Sequence, residues 1–284
     1  MCIRDRISNY IGKSGEIILW LSSRFPNLYE ESALKEEQEI LNDKSYGRTV
    51  RKRKEKLNQA QNTAKAVNCL GWLSGIWTIF YPYPYQFAII TAIITPLLAI
   101  TVVVLHKGLI RLDERKGTAF PSVLLAIVLP ALGLALRALL DFNITSYAEL
   151  WLPCLSISIG LFLVVLIANN EVSLKKVEDS FTGITLLIFF AVYAYGLIVT
   201  TNCYYDDSIP ETYPTEILNK RIHSSKGVIY YLELAAWDNQ PKKEVSVSKS
   251  FYNKMTVGDS VHIHLKKGCY EIPWFMVRKD QSHR

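Results

Sequence analysis

The sequence predicts a membrane-embedded α-helical bundle with a helical amino-terminal region and a small all-β domain at the carboxyl end. Half of the 284 residues are hydrophobic and only 20% are charged, which is unusual for a soluble protein. Residues 203–284 instead alternate β-branched or aromatic residues with polar ones between turn signals. Lys and Arg are also rare in the middle of the chain, where residues 66–202 contain only Lys107, Arg111, Arg115, Lys116, Arg137, Lys175 and Lys176. This distribution excludes a soluble enzyme as the whole protein.

Five apolar segments predict five transmembrane helices. Four of them have about the 20 residues that a hydrocarbon layer roughly 30 Å thick requires. The first is shorter and runs into Tyr-Pro-Tyr-Pro-Tyr at 81–85, where prolines end a helix and phenol rings suit the headgroup boundary. The first two spans should therefore form a tight hairpin. The predicted spans are residues 66–81, 86–105, 119–140, 148–168 and 181–201.

The orientation follows from the cations in the connections between spans. Lys and Arg precede the first span and follow the second and fourth, whereas connections 82–85, 141–147 and 202–219 contain neither. Cytoplasmic loops carry the excess of basic residues, so the amino terminus is expected inside and the carboxyl terminus outside. Tyr and Trp side chains cluster near the same outer boundary, as an aromatic belt would. We expect the bacterial cytoplasmic (inner) membrane, with residues 202–284 as an extracytoplasmic domain.

Residues 1–65 are expected to form a cytoplasmic helical region. The opening Met-Cys-Ile-Arg-Asp-Arg resembles a translated sequencing adaptor, so residues 1–6 are interpreted as an assembly artefact. Asn27 followed by Glu30 is a cap-like start for a helix reaching about Asn42. The basic run 51–56 then precedes the first span, where anionic headgroups favour such residues. We interpret this run as a topology anchor, with no nucleic acid as partner.

The predicted bundle contains one pair of ionisable residues, Arg137 and Asp141. Arg137 lies near the outer end of the third predicted span, four residues before Asp141. The simplest interpretation is a snorkelling Arg paired with Asp141 along the helix. The alternative is a polar site that binds a lipid headgroup phosphate or an anionic substrate.

Small residues and prolines are the other notable features of the spans. Gly71 and Gly75 form a G-x-x-x-G spacing, which suits either an intramolecular helix contact or a homo-oligomer seam. Pro96 and Pro130 predict kinks near the midpoints of spans two and three. The sequence contains no complete motif for intramembrane proteolysis, metal binding or phosphate binding. We therefore expect no catalytic residues, no metal and no cofactor.

The carboxyl-terminal region predicts five strands, near 215–223, 227–237, 243–249, 259–265 and 270–277. Gly258-Asp259 should form the turn into a strand whose apolar residues alternate with His262 and His264. Those two histidines share a strand face but lack a complete ligand set, so a solvated face is expected. Five short strands suit an OB-like or SH3-like barrel, or a sandwich.

Cys203 and Cys269 are the two cysteines on the predicted outer side, where a disulfide can persist. Such a bridge would tie the last span to the β-domain and contribute about 4 kcal/mol in the chain-entropy model. Free thiols are equally compatible with the sequence.

Three stretches carry a resemblance: Val-Ser-Val-Ser-Lys-Ser-Phe-Tyr at 245–252, Val-Gly-Asp-Ser-Val-His-Ile-His at 257–264, and Gly-Cys-Tyr-Glu-Ile-Pro-Trp at 268–274. They resemble the β-domain tail of uncharacterised bacterial multi-span membrane proteins. The resemblance covers roughly the last 70 residues. It implies a module located in the cell envelope and supplies no catalytic residues.

These features predict a non-enzymatic membrane protein that displays its β-domain to an envelope partner, which would be a protein, a glycan or a lipid. The expected partners also include the lipid bilayer and a second copy of the chain. The alternative function is a channel or small-solute transporter that uses the Pro-kinked spans two and three around Arg137.

Overall fold

The computed structural model describes residues 13–24, 27–113, 115–168, 177–224, 228–238 and 240–279. The predicted artefact at 1–6 lies outside these residues. The amino-terminal part consists of α1 (Ser14–Arg24), α2 (Leu28–Asn42), a short 3₁₀ helix (Lys44–Tyr46) and α3 (Val50–Phe80). Asn27 caps α2 as predicted, because its side chain accepts a hydrogen bond from the Tyr29 amide.

Four of the helices in the described residues are long and apolar enough to cross a membrane. They are α4 (Tyr85–His106), α5 (Leu124–Asp141), α6 (Ala148–Ala168) and α7 (Val177–Tyr204). The predicted first span forms the second half of α3, a continuous helix of 31 residues whose first half is polar and basic. The third span begins at Leu124 rather than 119, where the Ser122 hydroxyl accepts the Leu124 amide.

The chain divides into two compact units, and the first comprises Met1–Leu73, Ile94–Leu129 and Leu163–Ile184. In this unit Glu36 of α2 accepts hydrogen bonds from the Thr118 hydroxyl at 2.7 Å and the Ala119 amide at 3.0 Å. Asn68 of α3 joins the start of α5: its Nδ2 donates to Ser122 O at 2.7 Å, and its Oδ1 accepts from the Ala126 amide at 3.2 Å. These bonds order the connection that precedes α5.

The second unit comprises Ser74–Ile93, Pro130–Phe162 and Thr185–Arg284. Its helical part has a buried cluster contributed by α4, α5 and α7. The Tyr193 hydroxyl donates to Ile93 O at 2.8 Å, so this buried phenol is satisfied by the backbone of α4. The cluster consists of Ile89, Ala92, Ala131, Leu134 and Tyr193.

The β-domain lies in the second unit and is a six-stranded antiparallel sheet in the order β1-β6-β5-β2-β3-β4. The long strand β2 first pairs with β5 and, after an irregularity between Ile217 and Asn219, pairs with β3. Apolar side chains of these strands form one buried core. The strands are β1 (Asn143–Ile144), β2 (Glu211–Ser224), β3 (Val228–Leu234), β4 (Lys243–Val247), β5 (Ser260–Lys266) and β6 (Trp274–Lys279).

The two edges of this sheet meet, so the domain is a nearly closed barrel-like structure. Lys243 on edge strand β4 donates through Nζ to Ile144 O on edge strand β1 at 3.2 Å. Its ammonium group also lies 5.2 Å from the centre of the Phe275 ring. Burial lowers the pKa of Lys243. One basic side chain thus bridges the remaining gap in the barrel.

The structure differs from the predicted strands in five places, two of which are strand ends, since β2 begins at Glu211 rather than at 215 and β3 ends at Leu234 rather than at 237. Residue 249 belongs to a short helix, α8 (Lys249–Lys254), because the Ser248 hydroxyl caps it by accepting the Phe251 amide. Residues 270–273 form a loop, so β6 begins only at Trp274. Strand β1 was not predicted, since its two residues lie in the connection between spans three and four. The predicted turn at Gly258 is confirmed, with φ at +92°.

Candidate functional site

The candidate site is the junction between the end of α7 and the loop 267–273 of the β-domain. Asn202 is completely buried in the last turn of α7 and uses both of its side-chain polar atoms. Its Nδ2 donates to Ile272 O at 2.9 Å, and its Oδ1 accepts from the Tyr270 amide at 2.9 Å. The Cys269 amide donates to the backbone oxygen of Asn202 at 3.1 Å. One asparagine therefore holds the loop at three points.

Asp206 holds the other side of the same loop. Its side chain is only 2% exposed and its Oδ2 accepts from the Trp274 indole at 2.7 Å and the Gly268 amide at 3.0 Å. Its Oδ1 accepts from the Ser208 amide at 2.8 Å. Burial alone would raise the pKa of Asp206, but these hydrogen bonds outweigh it and lower the pKa below its ordinary value. The hydrogen bonds of the junction therefore favour the charged carboxylate of Asp206.

Lys266 supplies the countercharge. Its Nζ lies 3.8 Å from Asp206 Oδ2 and donates to the backbone oxygen of the same residue. The ammonium group also lies 5.6 Å from the centre of the Trp274 ring. Both charged side chains are mostly buried, so their pairing is little screened by water.

Gly268 lies where the loop packs directly against Asn202 of α7. Its φ is +79°, a conformation that L side chains rarely adopt. A Cβ atom here would lie 2.4 Å from Ile272 O and 2.5 Å from the side-chain atoms of Asn202. Only glycine fits this position.

An apolar cluster lies beneath the polar junction. It combines residues of α5, α6 and α7 with residues of β1 and the start of β6. Strand β1 pairs with β6, with Ile144 opposite Trp274, and the Phe142 ring meets the Trp274 ring edge-on at 5.7 Å. The helices and the base of the β-domain therefore share one buried apolar cluster. The cluster consists of Ala138, Ile144, Leu150, Cys154, Ala194, Ile198, Val199, Cys203, Ile272 and Trp274.

Cys203 and Cys269 both lie at this junction. Their thiols are free in the structure, with Cys203 buried and Cys269 exposed. The backbone segments around the two cysteines are adjacent, because the Cys269 amide donates to the backbone oxygen of Asn202, the residue before Cys203. The disulfide stays a prediction, which peptide mapping of the unreduced protein would test.

Arg137 and Asp141 form the pair that the sequence suggested, with Nη1 3.5 Å from Oδ1. Arg137 Nη2 also donates to Ile79 O of α3 at 3.2 Å, and the Tyr85 hydroxyl donates to Asp141 Oδ2 at 3.0 Å. Three helices thus contribute to one polar cluster at the carboxyl end of α5. The two charged groups are thus paired with each other, while the buried Nε of Arg137 has no hydrogen-bond partner among the described residues.

The two glycines of the G-x-x-x-G spacing each lie against α5. A Cβ at Gly71 would lie 2.4 Å from the Ala126 Cα, so the backbones are in direct contact. The carbonyl oxygen of Gly75 lies 3.5 Å from the position that a Cβ of Gly133 would occupy. The structure therefore shows an intramolecular contact at both positions.

A cavity of about 220 Å³ lies in the first unit, lined by polar and apolar side chains of α3, α5 and the loop before α5. The guanidinium of Arg115, which lines it, is paired with Asp113. The lining residues are Asn68, Arg115, Thr118, Phe120, Ser122 and Leu125.

His262 and His264 lie on β5 as predicted. Within the part of the chain that the structure describes, His, Cys, Asp and Glu residues form no group of three that could hold a metal ion. Burial, together with the nearby charges of Arg278 and His262, lowers the pKa of His264. The neutral ring is therefore favoured at this position.

Sequence reasoning missed Asn202 and Asp206. Polar residues just beyond an apolar span are ordinary at a membrane boundary, so neither one stands out. A usable signal was present in Gly268, because a glycine that follows a strand marks a tight turn or a close backbone approach. Its partner could not be inferred, since Asn202 lies 66 residues earlier in the chain.

Comparisons of the chain with protein-family models, with curated proteins and with solved structures found no match.

Proposed function

We propose that this chain is a non-enzymatic integral membrane protein that displays its β-domain outside the cytoplasm to bind a partner in the cell envelope. The partner would be a protein, a glycan or a lipid, and the membrane would be the bacterial inner membrane. The observation that carries this proposal is the junction at Asn202 and Asp206, which fixes a folded β-domain to the last apolar helix.

A domain that only needs to stay near a membrane requires no more than a flexible tether. Here the β-domain is held by two buried polar side chains, by the pairing of β1 with β6 and by a shared apolar cluster. Buried hydrogen-bonded networks of this kind specify one arrangement of the parts they join. This supports a role in which the orientation of the β-domain at the membrane surface matters.

We also propose that α3 is the fifth span. In the first unit, Asn68 and Gly71 contact α5 near Ala126. In the second unit, Thr78 lies against Gly133, and Ile79 O accepts from Arg137. Within each unit, α3 therefore lies directly beside α5. A helix that lies this closely beside an apolar span is itself expected in the membrane.

An odd number of spans puts the two ends of the chain on opposite sides. The basic connections favour a cytoplasmic amino terminus, which leaves the β-domain outside. Exposed Ser45 in the amino-terminal region and exposed Ser248 in the β-domain provide reporter positions for this proposal. With the native cysteines replaced by serine, an impermeant thiol reagent added to intact cells should label Ser248→Cys at once and Ser45→Cys only after permeabilisation. Labelling of both variants, or of neither, would show four spans.

The binding function is tested best with the full chain in lipid nanodiscs. A fragment 203–284 would lack both β1 and Asn202, so its base would be incomplete. The full chain should retain a defined envelope component that a control chain ending at Tyr205 does not. Equal retention by both chains would place binding in the helices and refute the proposal.

The alternative proposal is a channel or small-solute transporter around Pro96, Pro130 and Arg137. Pro130 lies next to buried Ala131 in the cluster that joins α4, α5 and α7. The close packing around Pro130 argues against a solute pathway there. The transport function therefore has less support than the display of the β-domain, which the junction supports. Liposomes containing Arg137→Leu or Pro130→Ala should show the same solute flux as the original chain. A specific loss of flux would favour transport.

A further inference from the structure

The cavity in the first unit lies at the start of α5, a helix that is long and apolar enough to cross a membrane. This helix has 18 residues, about 27 Å at 1.5 Å per residue, so both of its ends lie close to the boundaries of a hydrocarbon layer about 30 Å thick. Leu125 of its first turn lines the cavity, as does Ser122, whose hydroxyl caps that turn. The cavity is therefore expected at the level of the lipid headgroups.

The lining of the cavity combines apolar and polar side chains. Phe120 and Leu125 provide the apolar part, and the other lining residues are polar or charged. The volume of about 220 Å³ is below the roughly 300–1,000 Å³ of pockets for drug-sized ligands. A small cavity with both kinds of lining suits a small amphipathic group, such as the headgroup and glycerol of a lipid.

Arg115 is the charged member of the described lining. Its side chain is 43% exposed, whereas that of Asp113, with which it pairs, is 12% exposed. The pair joins Arg115 Nε to Asp113 Oδ2, and a guanidinium has four further N–H groups on its two terminal nitrogens. Arg115 can therefore keep this pair and donate to a ligand as well.

Ser122 adds a neutral donor. Its Oγ accepts the Leu124 amide at 3.1 Å, and its hydroxyl proton has no acceptor among the described residues. The hydroxyl of Thr118, in contrast, donates to Glu36 at 2.7 Å and so fixes the wall of the cavity. The lining thus offers a hydroxyl donor beside a guanidinium, which is a combination that favours an anion.

The charge around the cavity has the same sign. The guanidinium carbon of Arg111 lies 3.7 Å from the centre of the Phe120 ring, so a second cation lies directly behind the apolar lining. The loop 107–123 contains four basic residues and two acidic ones. Glu36 is the acidic group bonded to this loop from α2, and it accepts from Thr118 and Ala119. The surroundings therefore favour negative charge in the ligand.

We propose that this cavity binds a phosphate ester. Its oxygens accept from Arg115 and the Ser122 hydroxyl, and its carbon chain lies against Phe120 and Leu125. An ionised phosphate is negatively charged and only accepts hydrogen bonds, so it matches these two donors. The position at the start of α5 favours the headgroup of a membrane lipid as the source. The site involves no residue of the β-domain, so it is independent of the display function.

The first test compares three probes on the full chain in detergent micelles, with binding measured by native mass spectrometry. Dioleoylphosphatidylglycerol should bind, and dioleoylglycerol, which lacks the phosphate, should bind at least about tenfold more weakly. Equal binding of these two lipids would overturn the inference. Glycerol 3-phosphate tests a soluble source. If it binds as tightly as the phospholipid and with the same dependence on Arg115, the phosphate site stands and its ligand is a soluble ester.

The second test uses variants with a matched control. Arg115→Gln should weaken binding of the phospholipid at least about tenfold. Arg51→Gln should leave it unchanged, since Arg51 also pairs with a carboxylate, that of Glu55, but lies 90% exposed on α3. Asp113→Asn removes the partner of Arg115 and keeps the cation, so the phospholipid should bind at least as tightly as before. Equal weakening by Arg115→Gln and Asp113→Asn would show that the ion pair only orders the loop, and would overturn the inference.

Amide exchange locates the bound lipid. Dioleoylphosphatidylglycerol should slow exchange in residues 118–123 of the full chain at least about fivefold, and it should not do so in Arg115→Gln. Without lipid, the two proteins should exchange alike in this loop, which shows that the variant is folded. Protection by the phospholipid only outside residues 118–123 would place its binding elsewhere and refute the site.

Discussion

Replacement of Asp206 by asparagine tests the junction with the smallest change of shape. The carboxylate accepts three hydrogen bonds, two at Oδ2 and one at Oδ1. An amide can present its oxygen to only one of these sides, so at least one donor must face an NH₂ group. An unsatisfied donor costs about 1–3 kcal/mol, and each remaining bond loses roughly 1 kcal/mol when its acceptor becomes neutral. The side chain is 2% exposed, so solvent compensates little. With one donor unsatisfied and two bonds weakened, we expect a loss of about 3–5 kcal/mol.

Amide exchange of the loop 267–273 in the full chain measures this loss locally. A decrease of about 3–5 kcal/mol in the opening free energy corresponds to roughly 140- to 3,700-fold faster exchange, at about 1.4 kcal/mol per tenfold. Asp207→Asn is the matched control, because Asp207 is the adjacent residue and is exposed. The control should change the opening free energy by less than about 0.5 kcal/mol. Equal rates for Asp206→Asn and Asp207→Asn would refute the assignment of the junction.

The contribution of Asp206 to the stability of the loop 267–273 should depend on pH, which the same exchange assay measures. The pKa of Asp206 is lower in the folded protein than its ordinary value of 3.8, so the open state binds the proton more readily. The carboxylate therefore contributes its full stabilisation above pH 3.8, and the contribution is lost as the pH falls through the folded pKa. Asp206→Asn should lack this loss. An acid response of the loop that is the same in both proteins would contradict the argument.

Two further predictions compare glycines in matched pairs. Gly268→Ala should destabilise the β-domain more than Gly258→Ala by at least about 2 kcal/mol in thermal unfolding, because both have positive φ but only Gly268 meets Asn202. Similar losses of stability in Gly268→Ala and Gly258→Ala would show that backbone strain alone causes the destabilisation. In the helices, Gly71→Ala should lower the unfolding temperature, whereas Gly160→Ala, which has open space around it, should stabilise by up to about 1 kcal/mol. A stabilising Gly71→Ala would contradict the close contact with α5.

Apolar length and turn chemistry were enough to predict much of the fold. Four spans follow from runs of about 20 apolar residues, which have few other uses in a protein. The turn at Gly258 and the alternation of Val261 and Ile263 correctly located β5. These features are local, so one stretch of sequence contains all the information that they need.

The parts that could not be predicted depend on distant partners. Asn143 and Ile144 are a strand only because β6 lies beside them, and two residues have no periodicity of their own. Asn202 and Asp206 became notable only when the loop at 268–274 was placed against them. The apolar alternation at 270–273 was misleading, because the loop buries Ile272 against the helices instead of in the barrel. Burial of this kind has the same sequence pattern as a strand.

The placement of β1 has a consequence for how the protein is made. Because β1 belongs to the connection between α5 and α6, it leaves the ribosome well over a hundred residues before its partner β6. The base of the β-domain can therefore be completed only after α6 and α7 have been synthesised. A β-domain that contains all of its strands therefore forms only after the helices that precede it have been synthesised. Transplanting the domain to another anchor would require the α5–α6 connection to move with it.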